Sequence, residues 1–293
     1  MEKLHGLEAT QFKEYCPNIF INQDLVHEEN DGNVVISIGD SLNIIEKDSD
    51  EFYMFRYTPF SWVNYQMEKN LFSFISLNKW EDPFERLFYN ENTNIHSSYV
   101  NGCVCMSYIG YRGEETPWKA YHNAEPIVKL EFNFLKFINQ LSDSLMNICK
   151  GSTCNARVFV DVVKYAYSRK EIIDIYKCKC AASNNPNLPT FLSLADYLTC
   201  LSLKRKAFCN EHEIRFFLVS DKKDLDLNIP NFNMADCVTK ILLPPLTPFN
   251  YSDPRSDFYH ELQDIYNEGM KNYFKGKIGV VNQSRLYDIK SDL

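Results

Sequence analysis

Residues 206–219 read K-A-F-C-N-E-H-E-I-R-F-F-L-V. In an extended chain successive side chains point to opposite faces, so Ile214, Phe216 and Leu218 share one side and Glu211, Glu213 and Arg215 the other. The charged side runs on into Phe217 and Val219. A strand of this kind leaves an ionic mouth and enters an apolar layer, as a strand supporting a pocket does. The same letters also describe an edge strand whose outer face is charged, with Glu213 and Arg215 contributing little. The pattern alone leaves both readings open.

Working outward, the chain has 293 residues, 45% of them hydrophobic, enough to bury a sizeable core. Its formal net charge of −8 argues against a broad electrostatic grip on nucleic acid, so a polyanion would have to be met locally. The 21 Phe and 18 Tyr favour strands, a thick core and stacking surfaces for a ring-bearing ligand. The opening M-E-K-L-H-G-L-E-A-T lacks the apolar segment of a secretory signal, so the ten cysteines are read as reduced thiols. Cys178-Lys-Cys180 and the pair Cys149 and Cys154 lack the C-x-x-C spacing of a zinc site. No apolar run approaches the roughly twenty residues of a membrane helix. These features predict a cytoplasmic protein.

Residues 1–50, rich in Asn, Asp and Glu, form an N-terminal extension with one strand-like run at Val34–Ile38; residues 51–293 form the domain. The run F-Y-M-F-R-Y-T-P from Phe52 alternates as a strand and sets Arg56 on an apolar face with Phe52 and Met54. A guanidinium there is suited to forking onto a phosphate or carboxylate. Pro59 opens a helix that ends at Asn70, and a strand follows over 71–76. In E-D-P-F-E the acids Glu81, Asp82 and Glu85 invite a metal, but Asp82 at N-cap, Pro83 at N1 and Glu85 at N3 have the form of a capping box. No metal is expected. Further strands are read at 102–107, 127–132, 157–165, Val238–Leu243 and 277–281. A helix capped by Asn133 carries apolar residues at 134, 135, 137, 138, 141, 145 and 148. Residues 178–189 read as a polar loop. Phe191, Leu194, Leu198 and Leu201 mark a helix feeding directly into the central strand. The last helix, from Ser256, sets Phe258, Leu262, Ile265 and Met270 on one side. No G-x-G-x-x-G, Walker-type loop, G-x-S-x-G or H-E-x-x-H accompanies these elements. An α+β fold with a single mixed-sheet domain is expected.

In order, these motifs resemble a widespread bacterial family of domains of unknown function, marked by an R-Y strand, an N-D-P-F-E-like segment, a C-x-S strand, a W-x-x-Y helix, an E-x-E-x-R strand and a closing S-x-L-Y. Their counterparts are Arg56-Tyr57, residues 81–85, Cys105 to Ser107, Trp118 to Tyr121, Glu211 to Arg215, and Ser284 to Tyr287. Glu81 replaces the family's asparagine, Pro117 stands where a methionine is usual, and the glycine expected near residues 124–126 is missing. The order of parts is more distantly similar to that of DarT-type ADP-ribosyltransferases, which modify nucleic acid. That likeness implies an ADP-ribosyltransferase-like fold using NAD as substrate, in a toxin–antitoxin or phage-defence setting. The acceptor would be a nucleic acid or protein and an antitoxin would be a partner. Glu213 or Glu211 would be the catalytic carboxylate, Arg56 would meet the pyrophosphate, Trp118 or Tyr121 would stack on a ring, and Arg215 would hold the carboxylates. The alternative is a binding module whose Glu/Arg cluster is structural.

Overall fold

The computed structural model describes residues 52–80, 97–108, 126–150, 154–182 apart from 167, 193–245 and 256–284, and a few positions between 82 and 89. In the first fifty residues it describes the course of four short strands. These are β1 (Ile19–Ile21), β2 (Val26–Glu28), β3 (Val34–Ile38) and β4 (Ser41–Ile45), the last three forming an antiparallel sheet of their own. The later strands are β5 (Tyr53–Pro59), β6 (Leu71–Ser73), β7 (Tyr99–Ser107), β8 (Ile127–Asn133), β9 (Ala156–Val162), β10 (Lys164–Ala166), β11 (Leu203–Arg205), β12 (Glu213–Ser220), β13 (Asn228–Pro230), β14 (Val238–Leu243) and β15 (Val280–Gln283). The helices are α1 (Phe60–Lys69), α2 (Phe134–Lys150), α3 (Arg169–Ala182), α4 (Leu194–Leu201), α5 (Met234–Cys237) and α6 (Ser256–Phe274).

The fold is α+β, built on a mixed seven-stranded sheet of order β9-β12-β7-β5-β8-β14-β15, with β1 in parallel outside β9. Within the seven, every neighbouring pair is antiparallel except β14 with β15. β12 lies between β9 and β7 and is buried along its whole length. Its two faces do what the alternation requires. Ile214, Phe216 and Leu218 enter the larger core with Met54, Leu130, Phe132 and the apolar stripe of α2. Phe217 and Val219 enter a second core with Leu77, Val100 and Leu198. Phe137 of α2 sits at the centre of the larger one, meeting Phe72, Phe132, Phe216 and Phe232 with ring centroids 5.1 to 5.6 Å apart.

Local chemistry explains several boundaries. Asn70 ends α1 in the left-handed conformation (φ 49°), as its position after the helix predicts. The Asn133 side chain accepts from the Lys136 N–H at 2.9 Å and caps α2. Gly102 is required by close approach: a Cβ there would lie 3.0 Å from that of Phe74 and 3.1 Å from the Ile75 carbonyl oxygen.

Elsewhere tertiary pairing redraws the sequence reading. The strand at 71–76 stops at Ser73, after which Ile75 makes one isolated bridge to Cys103. The run 157–165 breaks at Val163, where the chain leaves the main sheet so that β10 pairs in parallel with β11. The residues read as a loop at 178–182 belong to α3, whose Ile172 and Ile175 pack on Leu203. The final strand begins at Val280 rather than 277, because Gly276 (φ 78°) turns the chain after α6. On α6, Met270 is buried while Ile265 is 70% exposed. The two stand roughly 140° apart round the helix. The side chain of Phe258 lies outside the described residues. No helix among the described residues is long and apolar enough to cross a membrane.

Candidate functional site

The ionic end of β12 opens onto a cluster drawn from four stretches of chain. Arg215 is 1% exposed and Glu213 4%. Arg215 Nε donates to Glu213 Oε1 at 2.8 Å, and Nη2 donates to Glu85 Oε1 at 2.7 Å and Glu213 Oε2 at 3.3 Å. Nη1 donates to the Leu201 carbonyl at the end of α4, and the Trp80 ring covers the guanidinium at 4.5 Å. Lys204 of β11 is the second cation, its Nζ lying 2.6 Å from Glu211, 3.0 Å from Glu85 and 3.1 Å from Glu213. Three carboxylates and two cations therefore share one nearly closed compartment.

Electrostatics separates the carboxylates. Burial alone would push Glu213 up, but Arg215 and then Lys204 outweigh it and hold its carboxyl at about 2. For Glu211 burial is again the largest influence, and there it prevails over Lys204, so the carboxyl lies above its ordinary value. Burial opposes the charge on Lys204 too, but Glu213, Glu85 and Glu211 together raise its pKa. Beneath them the Tyr165 hydroxyl accepts the Glu213 backbone N–H at 3.0 Å, and burial pushes the phenol up. Cys105, opposite Arg215 on β7, is raised first by its bond with Cys103 and then by burial, so it is no thiolate nucleophile.

Glu211 reaches this cluster by a different route from the one its spacing suggests. Residues 206–211 form a 3-10 helix rather than a strand, and His212, left-handed at φ 43°, turns the chain into β12. Glu211 comes to the cluster from that helix end, through Lys204. Its side chain stays 33% exposed, against 6% for Glu213. α4 accordingly leads into β11 and the 3-10 helix before β12, not directly into it.

The capping box is half formed. Asp82 accepts the Phe84 N–H at 2.9 Å and also takes Arg205 Nε and Nη2 at 3.2 and 3.0 Å. Glu85 turns away from the backbone to Arg215 and Lys204, because two buried cations attract a carboxylate more strongly than one amide does. Residues 84–86 form a turn.

Of the proposed NAD-site residues, Glu211, Glu213 and Arg215 converge. Arg56 does not join them. The register runs Glu213 to Ser107 to Phe55, so Phe55 shares the Glu213 face and Arg56 points to the opposite one, its guanidinium 5.8 Å from the Phe72 ring centre. Trp118 and Tyr121 lie outside the described residues. Sequence reasoning missed Lys204, Tyr165 and Trp80; the only trace of the first is the basic triplet at 204–206, which says nothing about which lysine turns inward. No family model, curated protein or solved structure matches the chain.

Proposed function

We propose that this chain is an ADP-ribosyltransferase-like enzyme that uses NAD as substrate, with Glu211 as the working carboxylate and Glu213 as the buried charge that positions it through Lys204. The observation that carries the reading is the contrast between these two glutamates. Glu213 is sealed and paired, whereas Glu211 is one-third exposed, held at 2.6 Å by Lys204, and raised in pKa. The motif order and its likeness to DarT-type enzymes supply the reaction class and the bacterial effector role, with an antitoxin as the matching partner. In the reaction the nicotinamide–ribose bond breaks, nicotinamide leaves as the neutral base, and the acceptor's oxygen or nitrogen bonds to the ribose carbon. The positive charge that develops on the ribose favours a nearby carboxylate. Glu211 then takes the proton the acceptor loses, a task suited to a raised carboxyl. Incubation with labelled NAD and mixed nucleic-acid and protein acceptors tests the proposal. The absence of both label transfer and nicotinamide release would sink it.

A second reading, a non-catalytic binding module, is favoured by the position of Arg56 on the far sheet face and by the full pairing of Glu213. Its mark is ligand-induced thermal stabilisation without turnover.

A further inference from the structure

α6 is anchored by one side and carries a second, apolar stripe on the other. The anchoring side buries Asn267, Met270 and Phe274, and the Asn267 amide donates to the Pro244 carbonyl at 3.2 Å. On the outward side Leu262, Ile265, Gly269 and Asn272 follow at steps of three, four and three residues, the spacing of a seam between two helices. Ile265 is 70% exposed and its neighbour Tyr266 56%, the two most exposed large apolar side chains among the described residues. A Cβ at Gly269 would meet nothing within 4 Å, so the stripe has an open notch. Charge is sorted along the same helix. Glu261, Asp264 and Glu268 stand before the notch and Lys271 and Lys275 after it, all of them exposed. Lys275 continues the helical turn, its N–H donating to the Lys271 carbonyl at 3.0 Å.

We propose that this face of α6 pairs with α6 of a second copy of the chain, antiparallel about a two-fold axis beside Asn267. The stripe is complementary to itself in that arrangement. Ile265 enters the notch over the partner's Gly269, Leu262 lies against the partner's Asn272, and the axis repeats each contact. Glu261, Glu268 and Lys275 follow at seven-residue steps along one flank of the seam, so Glu261 meets the partner's Lys275 on both sides of the axis. The two Glu268 carboxylates approach the axis, each keeping Lys271 of its own helix at 3.3 Å as a counter-charge. On the other flank the two Tyr266 rings meet at the axis. A parallel pair would instead bring the two acidic ends together and the two basic ends together. Exposed ion pairs add little affinity, so the apolar seam holds the dimer and the charges set its direction. From Glu261 to Lys275 the seam is about 21 Å long. That is too short to bury the roughly 1,600 Å² of a standard interface, which places the dissociation constant in the micromolar range. The pairing is independent of the chemistry at the Glu213 cluster.

The test is analytical ultracentrifugation of the full chain. Its average mass should climb from 34.3 kDa towards twice that value as concentration rises over about 1–300 μM. Ile265→Asp sets a charge in the seam and should weaken association at least about 30-fold. Because Ile265 is exposed in the single chain, that variant, melted at about 1 μM where both proteins are monomeric, should unfold within about 2 °C of wild type. Glu261→Lys and Lys275→Glu should each associate about fivefold more weakly when alone. An equal mixture of the two should recover wild-type affinity, since every chain then meets the opposite charge. Lys170→Glu, on α3, which packs on β11, should associate as wild type does. A single chain throughout the range, a mass growing past the dimer, association untouched by Ile265→Asp, or a charge-swapped mixture no tighter than its components would each overturn the pairing.

Discussion

Replacing Glu213 by Gln keeps size and shape and removes one charge from the centre of the cluster. The wild-type carboxyl is held at about 2 against an ordinary 4.5, and at 1.36 kcal/mol per pKa unit that difference amounts to about 3 kcal/mol favouring the folded state at neutral pH. Removing one partner from a buried ion pair costs about 3–5 kcal/mol by a separate route, and the two figures agree. Arg215 keeps Glu85, the Leu201 carbonyl and Trp80, which argues for the lower end. For a chain of this length the loss should lower the melting temperature by roughly 6–12 °C at pH 7. The sign with pH follows from the depressed value: the stabilisation is complete above about 4.5 and disappears as pH falls towards about 2. Melts followed by circular dichroism from pH 7 to 3 should therefore show wild type and variant converging in acid. A Gln variant that melts within 2 °C of wild type at pH 7 (an estimated shift below ~1 kcal/mol) would refute the argument that Glu213 anchors the cluster. Should that variant also lose all nicotinamide release, Glu213 itself would be the catalytic group.

Glu211→Gln should cost less than about 1 kcal/mol, since its side chain is part-exposed, yet lower nicotinamide release at least about 100-fold. In wild type the acid limb of the rate profile should lie at higher pH than an ordinary glutamate would place it, because the carboxyl must be ionised to take a proton and its pKa is raised; the limb should vanish in the variant. Trp80→Ala uncovers the Arg215 guanidinium and should cost about 2 kcal/mol in denaturant melts, with Trp80→Phe recovering part of it. Asn70→Val forces a β-branched residue into the left-handed region and should destabilise by about 1–2 kcal/mol, whereas Asn70→Gly should be near neutral.

Short-range signals were legible where chemistry is local. Pro59 and Asn70 bracket α1, Asn133 caps α2, and the alternation of Ile214, Phe216 and Leu218 against Phe217 and Val219 divides two cores correctly. What sequence spacing does not carry is parity between strands. Arg56 was placed correctly with Met54, but only strand order and register decide whether that face is the one Glu213 uses, and here it is not. Glu211 follows the two-residue period by coincidence, because a single left-handed residue at His212 ends one structure and starts another without disturbing the letters. Glu85 satisfies a local capping pattern and is then claimed by Arg215 from far along the chain. α3 was missed because residues 178–189 read as a polar loop, while the contacts that bury Ile172 lie on β11 and the turn after Asp82.

The ion pair between Glu85 and Arg215 spans 130 residues of chain. A ribosome adding about 5–20 residues per second takes roughly 7–26 s to travel that distance. Throughout that interval the segment around Trp80 and Glu85 has left the ribosome without the guanidinium that will fasten it, and neither Lys204 nor Glu211 has been made for most of it. No nascent fragment short of β12 therefore contains the assembled cluster, and translation that stalls anywhere before residue 215 releases a chain unable to hold its carboxylates in place.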